Sequence, residues 1–211
     1  MKKHLFTLAI TLALPAFAHA DTIQAGNGIA VVQIQSGTVQ GYIHRDILTY
    51  KGIPYATAAR FMPPQKVANW QGEKLALTYG DVCPQVPMGG RSFFFAGPEM
   101  PESEQCLNLN IWAPKKNDGD KRAVMVWIHG GGFQSGASND LHSYDGENLA
   151  RTGDVVVVSV NHRLSAMGYL DLSAYGGPYK DSANVGMQDL VAALEWVKAN
   201  IDQFGGDPNN V

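Results

Sequence analysis

Zinc-type ligand spacing is missing from this 211-residue sequence. No H-x-E, H-x3-H or C-x-x-C pattern links His44, His129, His142 or His162 to a partner, so no metal site is expected. No basic run is longer than the pairs Lys115-Lys116 and Lys121-Arg122, and the formal net charge is −3, so no nucleic-acid surface is expected. Uninterrupted apolar runs are short of the roughly 20 residues a membrane span needs. Phosphate-cradling patterns of the G-K-[ST] or G-x-G-x-x-G type do not occur. Cysteine is scarce: only Cys83 and Cys106 are available for a bridge.

What is present begins at the N-terminus. MKKHLFTLAITLALPAFAHA has a basic start, an apolar stretch from Leu5 to Leu14, a helix-breaking Pro15 and a small-x-small end at Ala18-His19-Ala20. Residues 1–20 are therefore expected to be a cleavable bacterial signal peptide, with Asp21 as the new N-terminus and no membrane anchor left after cleavage. Export to the periplasm or beyond favours joining Cys83 to Cys106, and two unpaired buried thiols are the alternative. The hydrophobic content of 45% and charged content of 17% fit a globular protein over the remaining residues 21–211.

The segment VVQIQSGTVQGYI reads as an antiparallel hairpin turning at Ser36-Gly37, followed by a short strand in ILTYKGIPYA broken by Gly52 and Pro54. Residues 60–105 are rich in Pro and Gly and read as irregular. LNLNIW alternates like a half-buried strand, whereas AVMVWI and VVVVSV are continuous apolar runs expected to be covered on both faces of a parallel sheet. A short helix ending at Gly153 lies between those two runs. A longer helix, capped by Ser182 or Asn184, is expected to bury Leu190, Val191, Leu194, Val197 and Ile201 and to stop at FGGDP. The order is that of an α/β fold, in which antiparallel N-terminal strands lead into a parallel sheet with flanking helices, and a further parallel strand is the expected next element.

The run HGGGF (129–133) leaves the C-terminal end of a strand, the side on which α/β proteins place their ligands. Glycines there let a ligand touch backbone N–H groups directly. Two such donors aimed at one point stabilise a developing oxyanion, and losing one costs about 3–4 kcal/mol. The bland alternatives are a plain tight turn or a phosphate cradle.

The motifs GTVQG (37–41), YKGIPYA (50–56), CPQ (83–85), SEQCLNLNIWAP (103–114), VMVWIHGGGF (124–133), DVVVVSVNHRL (154–164) and DLVAALEWVKANIDQFGGDPNNV (189–211) follow one another in an order that closely resembles the type-B carboxylesterases, the group that includes cholinesterases and p-nitrobenzyl esterases. The resemblance runs over almost all of residues 21–211 and implies the N-terminal half of an α/β-hydrolase fold. It implies that Gly131 and Gly132 donate the oxyanion-hole N–H groups and that Cys83 and Cys106 match the family's first disulfide. It further implies a small carboxylic ester as substrate and no metal or organic cofactor. Asn161 and Arg163 match a structural N-x-R motif, and Asp189 is expected to be a local hydrogen-bond or capping residue. Phe93, Phe94 and Phe95 are candidates for apolar pocket lining.

Departures from the family pattern are local. The usual Asn-Tyr-Arg-Leu-Gly reads NHRLS, with His162 and Ser165; Ala183-Asn184 stands for Gly-Asn, Asp189-Leu190 for Asp-Gln, and the KGIPYA loop lacks Pro-Pro-x-Gly. No G-x-S-x-G occurs: Ser92 and Ser138 follow a glycine by two, but Phe94 and Asp140 take the second glycine's place. By the resemblance the nucleophile elbow falls about six residues after FGGDPNNV, with the acid and His later still. These 211 residues alone are therefore expected to be inactive. A truncated non-catalytic product and a cholinesterase-like binding protein are the alternatives to an esterase.

Overall fold

A computed structural model describes residues 22–86, 100–115 and 119–211. The N-terminal hairpin is there: β1 (Val31–Ile34) pairs antiparallel with β2 (Gly37–Gln40), and the register Ile34↔Gly37 puts the two-residue turn at Gln35-Ser36, one position before the expected Ser36-Gly37. Next come β3 (Tyr42–His44), β4 (Ile47–Pro54), the short pair β5 (Ala56–Thr57) and β6 (Gln65–Lys66), and β7 (Glu73–Leu75), which joins the hairpin sheet beside β2. Gly52 does not break β4; it forms a bulge between Tyr50 and Ile53, and the strand runs on to Pro54. A side chain at Gly52 would meet the Thr78 carbonyl oxygen at 2.9 Å, and its φ of +70° suits glycine alone.

The main sheet adds β8 (Asn108–Pro114), β9 (Val124–Ile128) and β10 (Val156–Val160), in the order β3-β4-β8-β10-β9. β9 and β10 pair in parallel, as their apolar runs imply, with helix α1 (Glu147–Gly153) on the crossover between them. One expectation about these strands is overturned. β8 is not half-buried: it is the sheet's centre and is covered on both faces, Asn108 and Asn110 included. β9 stands at the edge of the described sheet, with Met125, Trp127 and Ile128 each more than two-fifths exposed, on the side where a further parallel strand is expected. The residues after the last helix approach that edge, where Arg122 and Val124 donate backbone N–H bonds to the Gly205 and Asn210 carbonyls at 3.0 and 2.9 Å.

Burying Asn108 and Asn110 is tolerable because each is fully engaged. Asn110 Nδ2 donates to Ser138 Oγ and Ser159 Oγ, both at 3.0 Å, and its Oδ1 accepts the Gly52 N–H at 2.9 Å. Asn108 Nδ2 donates to the Asp81 and Cys106 carbonyls at 2.9 and 3.0 Å. Cys83 and Cys106 are joined in a buried disulfide, which settles the pairing and closes a loop across 23 positions. On the chain-entropy argument such a loop contributes about 3 kcal/mol.

Helix α2 (Ser165–Tyr169) follows β10, and α3 (Val185–Asn200) packs on the sheet. The expected stripe on α3 is half right. Leu190, Val197 and the following Ile201 are buried, but Val191 and Leu194 are 54% and 43% exposed. The inward face instead runs through Val185, Asp189, Ala193, Trp196 and Asn200. It carries two polar residues because each has a buried partner. Asn200 Oδ1 accepts the Gln35 N–H at 2.8 Å, which ties the helix end to the hairpin turn. Asn184 sits at the N-cap position without a side-chain capping bond, while Ser182 Oγ accepts the Leu172 N–H at 2.7 Å instead. After α3 a single tighter turn, Ile201–Phe204, ends on Gly205 at φ +83°.

Asp189 is the other polar residue on that inward face, and it holds Arg163, which follows β10. The Arg163 guanidinium donates Nε–H to Asp189 Oδ2 at 2.8 Å and Nη2–H to Oδ1 at 2.7 Å, and the Arg163 backbone N–H adds a bond at 3.1 Å. Asp189 has no exposed surface and Arg163 is 4% exposed. Asp189 is thus a buried ion-pair partner and not a capping residue. Replacing it with alanine strands a buried guanidinium, so Asp189→Ala is expected to lower unfolding free energy by about 3–5 kcal/mol, read from the urea midpoint. A loss below about 1 kcal/mol contradicts this assignment.

Candidate functional site

The glycine loop starts where β9 ends. His129 is buried, and the chain then turns so that the Gln134 and Ser135 N–H groups donate to the Gly131 carbonyl at 3.1 and 3.3 Å. Gly131, Gly132, Phe133 and Gly136 all have positive φ, at +123°, +62°, +61° and +108°. A Cβ on Gly131 would collide with the Ser135 carbonyl, and one on Gly136 would collide with the Gly130 carbonyl. Space around Gly132 is open, so there the backbone angle alone selects glycine. Among the described residues, no acceptor engages the Gly131 or Gly132 N–H group.

Four contacts hold this loop in place. Gln85 Oε1 accepts the Gly136 N–H at 2.7 Å, while Gln85 Nε2 donates to the Gly136 and Cys83 carbonyls at 3.2 Å. The Ser165 N–H donates to the Phe133 carbonyl at 2.7 Å, and Ser165 Oγ donates to the Gln134 carbonyl at 3.0 Å. Asn161 Oδ1 accepts the Ser138 N–H at 2.8 Å. Finally, the His129 and His162 rings stack with centroids 4.8 Å apart and planes 14° from parallel. Gln85 is the residue that motif reading passes over: CPQ marks it, but only the fold brings it across 51 positions to Gly136.

The two histidines are held neutral. Burial pushes His162 down to about 4, with His129 adding to the effect, and burial lowers His129 as well. His129 Nδ1 lies 2.8 Å from the Gly130 carbonyl, which assigns its proton there, and His129 Nε2 is buried without a partner. Ser138 is buried, with its N–H on Asn161 and its hydroxyl against Asn110, so it is not poised as a nucleophile. Asn161 and Arg163 make buried internal bonds: the Asn161 carbonyl accepts the Tyr55 hydroxyl at 2.7 Å, and Arg163 Nη1 donates to the Met62 carbonyl at 2.8 Å. Burial raises the Asp189 carboxyl, and the bonds from Arg163 oppose that rise. Ser92 and Phe93, Phe94 and Phe95 lie outside the described residues. A groove of about 290 Å³ lies elsewhere, between the hairpin and β4, and is walled by Val32, Leu48, Tyr50 and Phe204.

Two unengaged amides on a rigid glycine turn, at the C-terminal end of a parallel strand, are what an acyl-transfer fold requires. The model of the carboxylesterase family matches residues 29–211. The chain belongs to the carboxylesterase family. The para-nitrobenzyl esterase of Bacillus subtilis (strain 168) is 42% identical over 186 residues, covering 86% of this chain and 37% of that protein. Acetylcholinesterase-1 of Trittame loki is 39% identical over 193 residues, covering 86% of this chain and 34% of that one. Among solved structures, an esterase from Clostridium hathewayi that can hydrolyse aliphatic aromatic polyesters superposes with a TM-score of 0.84 at 47% identity. That match covers 91% of this chain and 38% of the other. The carboxylesterase chain described here thus spans between 34% and 38% of the length of these relatives.

Of the two donor glycines Gly131 is the less replaceable, because both its φ and the Ser135 carbonyl exclude a side chain. Gly131→Ala is expected to cost about 2–3 kcal/mol of stability and to displace the loop, whereas Gly132→Ala, set in open space, is expected to cost about 1 kcal/mol. Denaturant midpoints of the two variants check this ordering; equal losses contradict it.

Proposed function

We propose that this chain is the N-terminal part of a secreted serine carboxylesterase that cleaves small carboxylic esters through an acyl-enzyme. The observation that carries the reading is the pair of unengaged N–H groups at Gly131 and Gly132. In the reaction, a serine adds to the ester carbonyl, and the negative charge that forms on the carbonyl oxygen is met by donors already in place. The alcohol leaves, and water then releases the acid from the acyl-serine. A backbone held by Gln85, Ser165, Asn161 and the histidine stack needs no rearrangement as that charge develops.

Nucleophile, acid and catalytic His are assigned to residues outside this sequence, and no metal or organic cofactor is needed. Residues 1–20 serve as a cleaved signal peptide in this reading, and residues 21–211 form the N-terminal part of the hydrolase domain. One observation supports export: the Cys83–Cys106 disulfide. An intact, clash-free glycine loop favours an esterase over a purely binding role, which has no use for oxyanion donors.

The test compares two polypeptides on p-nitrophenyl acetate. Residues 1–211 alone are expected to give no turnover above background. The polypeptide read from the gene through a downstream G-x-S-x-G is expected to hydrolyse the ester and to be blocked by a serine-directed phosphonate. Phosphonate-sensitive hydrolysis by residues 1–211, or none by the longer polypeptide, sinks the proposal.

A further inference from the structure

We propose that His162 is a positioning residue for the oxyanion loop: its imidazole, stacked flat on His129, keeps the Gly131 and Gly132 donors in place while both rings are neutral, and releases them in acid. This inference rests on the esterase reading above and deepens it.

The geometry is specific. His162 follows β10 and is 2% exposed, and its ring lies against His129, the residue from which the glycine triplet departs. Phe133, on the other side of the triplet, turns its edge toward the same ring at 6.2 Å. The neighbouring Ser165 bonds the Phe133 and Gln134 backbone. The glycines are thus bracketed by two aromatic residues that both rest on His162. A tyrosine, usual at this position in the family, can also present a flat ring, but it cannot gain a proton. His162 is one of this chain's departures from that pattern.

Every group near the pair bears on what acid does. From the loop, His129 faces His162, and protonating either ring opposes protonation of the other. Asp140, farther along the loop, acts on His129 in the opposite sense. From α3 comes Asp189, already neutralised by Arg163, and from α2 comes Tyr169, an uncharged phenol packed edge-on against Phe133. Burial dominates. With the stack closed, His162 takes a proton only as pH falls through about 4. Once released, it takes one near the ordinary value of about 6.5. Proton uptake therefore favours the released loop, and the sign is fixed: the closed state is fully favoured above about 6.5 and is lost as pH falls toward about 4.

The experiment uses the whole esterase carrying this chain, at neutral pH, with His162→Ala and His162→Phe. Loss of the stack is expected to lower kcat by roughly tenfold or more while KM stays within about twofold, because donors for an oxyanion act in the transition state. His162→Phe is expected to restore kcat, since it keeps the flat ring. In parallel, isotope-labelled glycine amides are followed by NMR between about pH 7 and about pH 3. Gly131 and Gly132 are expected to shift together, with a midpoint below the ordinary imidazole value, in the wild type and not in His162→Phe. Unchanged kcat in His162→Ala, a change in KM alone, or the same glycine titration in His162→Phe overturns the proposal. If His162→Ala does not fold, the NMR comparison of wild type with His162→Phe decides it. A wild-type protein without esterase activity overturns the functional reading instead, and the glycine titration still decides the role of His162.

Discussion

Arg163 and Asp189 form the contact on which the rest of this structure depends. It joins the residue run after β10 to the inward face of α3, and through Arg163 Nη1 it reaches the irregular segment at Met62. Two buried opposite charges cost several kcal/mol to desolvate unless geometry and further hydrogen bonds compensate. Here both carboxylate oxygens and the guanidinium are engaged, so the cost is met only in one arrangement of strand, helix and loop. That arrangement also sets His162 and Ser165, one residue before and two after Arg163, both of which touch the glycine loop.

A second polar system does the same within the sheet. Asn110 links β8 to β10 through Ser159, to β4 through Gly52, and to the segment after the glycine loop through Ser138. Asn161 adds a bond to Ser138 and receives the Tyr55 hydroxyl. The disulfide acts through a neighbour: Gln85, two residues from Cys83, clamps Gly136 by both the oxygen and the nitrogen of its side-chain amide. These bonds are expensive to leave unmade in a dry interior, so they specify one position for the loop more sharply than apolar packing can. The glycines at 131, 132 and 136 then permit that position, and Phe133 is the one residue of 131–136 that carries a side chain at positive φ.

Much of this was legible in the residues. The N-terminal hairpin (its turn one position from where the pattern put it), the parallel pairing of β9 with β10, helix α1 ending at Gly153 and the Cys83–Cys106 bridge all follow from local pattern or from elimination. HGGGF announced a bare backbone, and Gly131, Gly132 and Phe133 within it all take positive φ. AVMVWI and VVVVSV look alike and do pair in parallel, β10 in the middle of the described sheet and β9 beside the last residues of the sequence, where Val124 donates to the Asn210 carbonyl. The reading failed where burial depends on sheet order. LNLNIW alternates as a half-exposed strand does, yet its asparagines are core residues because Asn110 is satisfied by distant serines and a glycine and Asn108 by the Asp81 and Cys106 carbonyls.

By itself the sequence determined the class of fold, the family, and the identity of the glycines and cysteines, because these rest on short-range sterics and on motifs a few residues long. Tertiary structure alone decided which face of α3 is inward, that Gln85 reaches Gly136, and that His129 stacks on His162. Those outcomes depend on whether a polar group finds its partner across many tens of residues. No periodicity in the chain records such a meeting; only the packing of segments against one another brings it about.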